Sequence, residues 1–455
     1  MTQFNDPGDQ GGPGRDDGPY AAFQEPAFRR FMIGTLLARL GTGAQTIAIA
    51  WEMYVRTDSA LLLGLVGLVQ AVPMLLLTLP AGYLADVADR RKLILVGLFG
   101  TTLTSLALAQ FSYMEGSILV MYVLLFFDAA FLRLANPART AIVPQLVPVH
   151  KLESAMKWRT SLGEIASIVG PVIGGFILGW WIPACYLFSG GSTAVFMLVL
   201  MTIHIPPATR AVPGRMVAQV FDGIRFVWQR KVLLGTISLD LFAVLLGGAT
   251  MILPIFARDI IDLSGTGLTE EQALGWLRAA PAAGALIMAL SLAHMPPIRK
   301  AGRTMLWSVA GFGAATIVFG ISKNLWLSLA MLFLTGAFDN VSVVVRHTLV
   351  QLLTPNEMRG RVSAVNSIFI GSSNQIGGFR AGAVAAAIGP VLSVVIGGLG
   401  TLAVVGLWAG LFPRLRDFGR LSGVEVEALP DANAVSDEKL QLDPAPVPSS
   451  RGPAK

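Results

Sequence analysis

The chain is short of charge. Only 14% of its 455 residues are Asp, Glu, Lys or Arg, against roughly 25% in a soluble domain. Too little charge is present to cover a water-facing surface, which excludes an ordinary soluble globular protein. Cysteine is almost absent. Cys185 stands alone, which excludes an intramolecular disulfide and a cysteine-cluster metal site. The four histidines fall in no paired ligand spacing, so no metal centre is expected. No Gly-x-x-x-x-Gly-Lys-Ser/Thr run occurs, so ATP is not expected as an energy source within the chain. No cofactor is expected. No histidine pair, no nucleophile with an identifiable base and no metal constellation points to an enzyme. Residues 1–20 are rich in Gly, Asp and Pro and hold no apolar core of a cleavable signal.

What is present is apolar sequence in long runs. Hydrophobic residues make up 54% of the chain, and its mean hydropathy is +0.64. Runs of roughly 18 to 24 residues, each long enough to cross a bilayer, recur about twelve times. Their centres fall near Arg39, Gln70, Thr102, Phe126, Pro171, Leu198, Ala243, Ala285, Gly313, Met331, Ser372 and Leu402. The reading is an all-α membrane protein of twelve transmembrane helices, with the lipid bilayer as its first partner. The net charge of +6 does not indicate nucleic acid, because the basic residues sit in short segments between apolar runs.

The chain divides in the middle. Residues 206–231 are polar and basic, and within them Val217, Val220, Phe221, Ile224, Val227 and Trp228 recur at helical spacing. An amphipathic helix on the inner membrane face fits this pattern; an unstructured linker is the alternative. Five regions are expected: a disordered tail over 1–27, a six-helix bundle over 28–205, the linker over 206–231, a second six-helix bundle over 232–412, and a disordered tail over 413–455. Arg29, Arg30, Arg90, Arg91, Lys92, Arg139, Lys151, Arg303, Arg359 and Arg361 crowd one side, and the other keeps little more than Arg56, Arg258 and Lys323. The crowded side is read as cytoplasmic, with both termini there. Weak echoes relate the halves: Phe127-Asp128 with Phe338-Asp339, and Gly174-Gly175-Phe176 with Gly377-Gly378-Phe379. Their shared order suggests one plan used twice, as in transporters built from repeats.

After the second run comes Gly82-x-x-x-Asp86-x-x-x-Arg90-Arg91-Lys92, a charge-dense turn. In the fifth run stands Gly170-Pro171-x-x-Gly174-Gly175, where small residues let helices approach and proline bends the chain. The first resembles motif A of the major facilitator superfamily, and the second resembles motif C of its drug/proton antiporters. Ordinary small-residue packing is the other reading of the second. The stretches Ala135–Val147, Thr354–Val362, Leu253–Ala257 and Gly275–Pro281 look like the enterobactin-exporter-like branch of that superfamily, which also holds macrolide-efflux-type proteins. The resemblance spans nearly the whole chain except the tails. It implies the major facilitator fold, two pseudo-symmetric six-helix bundles working as a monomer. It also implies that motif A is a charge network locking the halves together on the cytoplasmic side. Val87 and Asp89 depart from the usual pattern, so the lock is expected either to be weaker or to use Asp89 as a second carboxylate.

Charges inside apolar runs are costly and must face the protein interior or a wet cavity. Arg39, Asp128, Glu164, Asp240, Asp339 and Arg380 are such charges. Four of them fall in the first, fourth, seventh and tenth runs, which the resemblance makes cavity-lining. Asp128 is the first candidate for proton coupling, with Arg39 as its ion partner; a fixed structural pair with Arg39 or Arg133 is the alternative. Asp240 is the second. Asp339 and Glu164 lie nearer the cytoplasmic end, Asp339 also as a partner for Arg346. Arg380 is open between pairing with either half and contacting an anionic substrate. The expected activity is export of a siderophore-like or drug-like small molecule across the bacterial inner membrane, coupled by antiport to proton entry. Import by proton symport and a non-transporting membrane sensor remain as alternatives.

Overall fold

The computed structural model describes residues 18–204, 216–296 and 298–419. Its helices are α1 (Pro26–Thr57), α2 (Ala60–Val87), α3 (Arg90–Tyr113), α4 (Ile118–Ile142), α5 (Leu152–Leu178), α6 (Ile182–Met201), α7 (Met216–Gln229), α8 (Lys231–Gly247), α9 (Leu253–Ile255), α10 (Glu270–His294), α11 (Ala301–Ile321), α12 (Leu325–Leu353), α13 (Asn356–Ile388), α14 (Pro390–Leu411) and α15 (Pro413–Arg416). Among the described residues there is no strand, only an isolated bridge between Asp262 and Asn324.

Local chemistry sets many of the helix ends. Ser59 and Asn324 cap the first turns of α2 and α12 with their side chains, and Thr269 with Gln272 forms a capping box on α10. Asp58 ends α1 in the left-handed region at φ 48°, and Gly389 at φ 90° separates α13 from α14, which opens with Pro390. The expected seventh run is not one continuous helix. α8 stops at Gly247, and a 3-10 turn, α9 and a π turn over Phe256–Ile260 complete the crossing.

Ten segments are long and apolar enough to cross a membrane. The remaining two long helices, α1 and α13, are too polar to pass that test. α1 carries Arg29, Arg30, Arg39, Glu52 and Arg56; α13 carries Arg359, Arg361, Asn366, Asn374 and Arg380. Each is packed between neighbours, α1 between α5 and α6, α13 between α2 and α8. Much of their polar surface therefore meets protein rather than lipid.

The twelve long helices form two bundles with the same internal wiring. In the first, α1 packs on α5 and α6, α3 on α4 and α6, and α2 on α4. In the second, α8 packs on α13 and α14, α11 on α12 and α14, and α10 on α12. Each pairing in one half has its counterpart in the other, so the short sequence echoes mark a true structural repeat. The halves meet through two crossed contacts, α2 on α13 and α5 on α10.

Glycine makes both crossings close. A Cβ on Gly64 would lie 2.9 Å from Gly382 Cα, and one on Gly175 would lie 2.7 Å from Glu271 O and 3.0 Å from Gly275 Cα. These neighbours are backbone and cannot turn aside. Gly175→Val is therefore expected to cost about 1–3 kcal/mol by overpacking. The thermal midpoint of the purified protein checks this. Gly406→Ala, with nothing within 4 Å, is the control and should leave the midpoint unchanged or raise it slightly.

The apolar core is shared at one end only. One cluster draws Trp51, Tyr54 and Tyr186 from the first bundle and Leu253, Phe256, Leu277 and Phe319 from the second. It lies at the end away from Arg90–Lys92, called the far end below. At the opposite, basic end the clusters separate. One, with Phe28, Phe31, Ile94 and Phe196, belongs wholly to the first bundle; another, with Leu239, Met305 and Trp408, belongs wholly to the second. The halves are thus sealed at the far end and parted at the basic end.

Two tail expectations meet described residues. Residues 18–27 are not a free tail. Ala21–Gln24 forms a 3-10 turn with Ala21 and Ala22 buried, and Pro19 O accepts from Trp158 Nε1 at 2.8 Å and Ser154 Oγ at 2.9 Å. Aromatic packing of Tyr20 and Phe23 on Trp158 explains why this stretch docks. Residues 413–419 likewise fold back, burying Leu415. The rest of both tails, and 206–215 of the linker, fall outside the described residues. Of the linker, α7 is helical. It seats Val227 in a cluster with Leu233, Val350 and Val362, and leaves Phe221 and Trp228 exposed.

Candidate functional site

Each bundle carries a half-buried carboxylate at an equivalent place, Asp128 on α4 and Asp339 on α12. In the first, α4 carries Asp128 into a small polar cavity between α1, α3, α4 and α6, lined by Thr42, Gln45, Thr101, Ser105, Asp128 and Ser189 among others. In the second, Asp240, Phe338, Asp339 and Ser342 line a cavity between α8, α11 and α12. Both cavities are of water size, too small for an organic molecule.

The two carboxylate environments differ in charge. Gln45 Nε2 donates to Asp128 Oδ2 at 3.1 Å, and Thr104 Oγ1 donates to Oδ1 at 2.8 Å. Ser105 Oγ in turn donates to Gln45 Oε1 at 2.7 Å, which fixes the amide with its NH₂ toward Asp128. Asp128 therefore takes its hydrogen bonds from neutral donors, and no cation is in ion-pair range among the described residues, although Arg139 lines the same cavity. This corrects the expected pairing. Arg39 is exposed on α1 and lies against Gly163 of α5, and Arg133 makes no ion pair either. The donors come from Gln45 on α1 and Thr104 on α3, and Arg39 lies on another face of α1, against α5.

Asp240 and Arg346 form a buried ion pair linking α8 to α12. Asp339, expected as a partner for Arg346, has no ion pair among the described residues, because Arg346 reaches across to α8 instead. Asp240, the second coupling candidate, is tied into a fixed pair and is poorly placed to exchange a proton. Glu164 is half-buried on α5 without an ion pair among the described residues. Arg380 is structural. Its Nε donates to Leu245 O at 2.9 Å and its Nη2 to Leu246 O, so it satisfies the open carbonyls where α8 breaks. Arg278 donates to Thr250 O at 3.2 Å just beyond the same break.

Motif A is not a loop here. α2 continues through Val87, so Gly82 and Asp86 are helical, and only Ala88 and Asp89 separate α2 from α3. Asp89 is the N-cap of α3, accepting from the backbone of Arg91 at 2.9 Å and Lys92 at 3.3 Å, rather than a second carboxylate of a lock. Arg90 donates to Ala85 O and Ala141 O, and Arg91 to Met201 O. All these contacts lie within the first bundle. Among the described residues Asp86 has no ion pair and no motif A group reaches the second half, as expected where the basic end is parted. Motif C does reach across. Gly170 and Gly174 press on Gly43 and Ala44 of α1, while Gly175 meets the backbone of α10.

Sequence reasoning missed the far-end contacts that close the molecule. Arg258 Nη1 donates to Asp58 Oδ1 at 3.1 Å, and Tyr54 OH donates to Asp259 Oδ2. The Arg258 guanidinium also lies 5.4 Å from the centroid of the Tyr54 ring. The Arg258–Asp58 bridge is the ion pair that joins the two bundles among the described residues. Both partners stand at helix ends, where a sequence pattern carries no information about the opposite half. Glu52 was also missed: it is 1% exposed, bonded to Arg56 Nη1 at 3.1 Å and to Tyr186 OH at 2.8 Å. The spacing of Glu52 and Arg56, one helical turn apart in an apolar run, was the available signal.

Arg258→Ala is expected to favour opening of the far end only modestly. The pair is partly exposed, and such pairs are worth about 1 kcal/mol or less, a population shift of at most about fivefold. Spin-label distances across the far end measure it.

Among the described residues no group of three or more metal-ligating side chains occurs. The chain matches a family model described as transmembrane secretion effector over residues 17–440. It is 27% identical over 404 residues to the enterobactin exporter EntS of Shigella boydii serotype 4 (strain Sb227), covering 86% of this chain and 93% of that protein. The same identity and coverage hold for the enterobactin exporter EntS of Escherichia coli (strain K12). Among solved structures it resembles a single-residue mutant of the nucleoside transporter NupG, with TM-score 0.72 and 12% identity over 85% of this chain and all of that one. The peptide transporter POT in complex with sulfate superposes with TM-score 0.69 and 12% identity over 86% of this chain and 95% of that one.

Proposed function

The chain belongs to the transmembrane secretion effector family of the major facilitator superfamily, and on that premise we propose that it exports a small organic molecule in exchange for protons. It is a multi-pass membrane transporter, and its relatives are transporters rather than enzymes. The finer reading is alternating access: the halves rock about the α2–α13 and α5–α10 crossings, exposing a site between them first to one face and then to the other. The basic end is the cytoplasmic one and the far end faces outward, across the bacterial inner membrane.

The observation that carries the reading is the environment of Asp128. A half-buried carboxylate held by Gln45 and Thr104, with Arg139 on the wall of the same cavity but no cation in ion-pair range among the described residues, accepts a proton without breaking an ion pair. Asp240, neutralised by Arg346, does not. The parted basic end is the loading state, in which cargo enters from the cytoplasm. The family description and the exporter relatives support outward transport; the enterobactin in the relatives' name supports a siderophore-like molecule, and the motif C resemblance of Gly170–Gly175 supports a drug-like one.

Proteoliposomes with an imposed pH gradient test this. Siderophore-like and drug-like compounds are supplied on the basic side, and proton flux is read with an entrapped pH dye. Substrate and proton moving in opposite directions is the expected result. Transport indifferent to a protonophore removes proton coupling; substrate and proton moving together replaces export by symport.

A further inference from the structure

Arginines on the long helices and the turns beside them fall into two groups. Arg56, Arg278, Arg346 and Arg380 each have a carboxylate or a backbone carbonyl as partner. Arg39, Arg133 and Arg139 have no hydrogen bond or ion pair among the described residues, and Arg159 has only a 3.5 Å contact to Thr140 Oγ1. The Nε atoms of Arg139 and Arg159, like those of Arg91 and Arg346, are buried without a partner. Each guanidinium offers five N–H donors, so Arg39, Arg133, Arg139 and Arg159 together hold a large store of donors without a protein partner.

These unpaired groups all belong to the first bundle, and three of them are neighbours. Arg39 of α1 lies over Gly163 of α5, its Nη1 2.5 Å from where a Cβ would stand. Arg159 sits one helical turn before Gly163 on α5 and touches Thr140 of α4. Arg139 precedes Thr140, stacks 5.4 Å over Phe196 and borders the cavity that holds Asp128. Arg133 follows Asp128 along α4 by little more than one turn. The carboxylate within this group is Glu164, which forms no ion pair there. The four guanidinium groups outnumber the two carboxylates nearby, Glu164 and Asp128, by two. Glycine at 163 leaves the room that the Arg39 guanidinium occupies.

We propose, resting on the export reading above, that the cargo is a small organic anion and that Arg39, Arg139 and Arg159 form the wall that recognises it, with Arg133 beside them. Planar guanidinium groups pair with carboxylate, sulfonate or phosphate oxygens two at a time. The wall stands on the cytoplasmic side of Asp128, in the half of the molecule that is parted in this structure. Cargo entering there meets the arginines first and lies within reach of the carboxylate that takes the proton.

The test uses full-length protein in nanodiscs of zwitterionic phosphatidylcholine, which removes anionic lipid as a competitor. The probes share one ring system: naphthoate, naphthalenesulfonate and naphthyl phosphate as anions, naphthamide as the neutral match, naphthylmethylamine as the cation. Binding is read from tryptophan fluorescence and from the thermal midpoint. The anions are expected to bind at least about tenfold more tightly than the amide or the amine. Arg39→Gln and Arg159→Gln are expected to remove that preference while leaving the amide unaffected. Arg39→Lys should keep part of it, and Arg303→Gln, on the exposed basic face, should keep all of it. Equal binding of the amide or amine, no binding of any anion, or full anion preference in both Gln variants overturns the proposal. Binding to purified protein needs no proton gradient. Anion binding without export therefore defeats the export reading and spares this one, and proton-driven export of the amine does the reverse.

Discussion

Asp128→Asn is expected to reduce pH-gradient-driven export to the background of protein-free vesicles. Asparagine has nearly the same shape, so Gln45 and Thr104 can still hold it and the first bundle should pack unchanged. What is lost is a group that changes charge. Exchange of labelled for unlabelled substrate needs no net proton movement and should survive. That split separates a coupling residue from a merely structural one: a variant that failed to fold would lose both activities. Gradient-driven export retained by Asp128→Asn would move the coupling role elsewhere, with Asp339 next in line because it too has no ion pair among the described residues.

The second large effect concerns stability rather than coupling. Asp240→Ala leaves the Arg346 guanidinium, 2% exposed, without its counter-charge inside the second bundle. Breaking a buried pair from one side costs about 3–5 kcal/mol, whereas replacing both partners with apolar residues of similar volume is often neutral or better. Asp240→Ala and Arg346→Ala should each lower the thermal midpoint sharply. The double variant Asp240→Leu with Arg346→Met should restore most of it and should still couple transport to protons. A double variant that is stable but uncoupled would show that Asp240 carries protons after all.

Much of the fold was legible because length and hydropathy are local properties. The apolar runs around Gln70, Thr102 and Leu402 became α2, α3 and α14. The echo of Gly174 by Gly377 is structural, since Gly174 packs on α1 and Gly377 on the equivalent α8, but the next pair differs: Gly175 crosses to α10, while Gly378 meets Met251 of its own half. The break after Gly247 was hidden, since the apolar run continues through a backbone that does not stay helical. Asp128 was legible as a buried charge, yet its partners were not. Arg39 was the obvious cation by chemistry, but which face of α1 meets α4 depends on how α1 rotates against α5 and α6. The same holds for Arg346, which has Asp339 on its own helix and binds Asp240 on another. Arg380 shows the limit most plainly. A lone buried arginine suggests a ligand, and only the broken end of α8 reveals that backbone carbonyls already satisfy it.

The central claim is that Asp128 changes protonation while taking its hydrogen bonds from neutral donors. Infrared difference spectra of the membrane-reconstituted protein between acidic and neutral pH test it most directly. A protonated-carboxyl band that grows on acidification, is present in the wild type and disappears in Asp128→Asn is the predicted result. A band that persists unchanged in Asp128→Asn, or its absence from the wild type at every pH where the protein transports, would contradict the account.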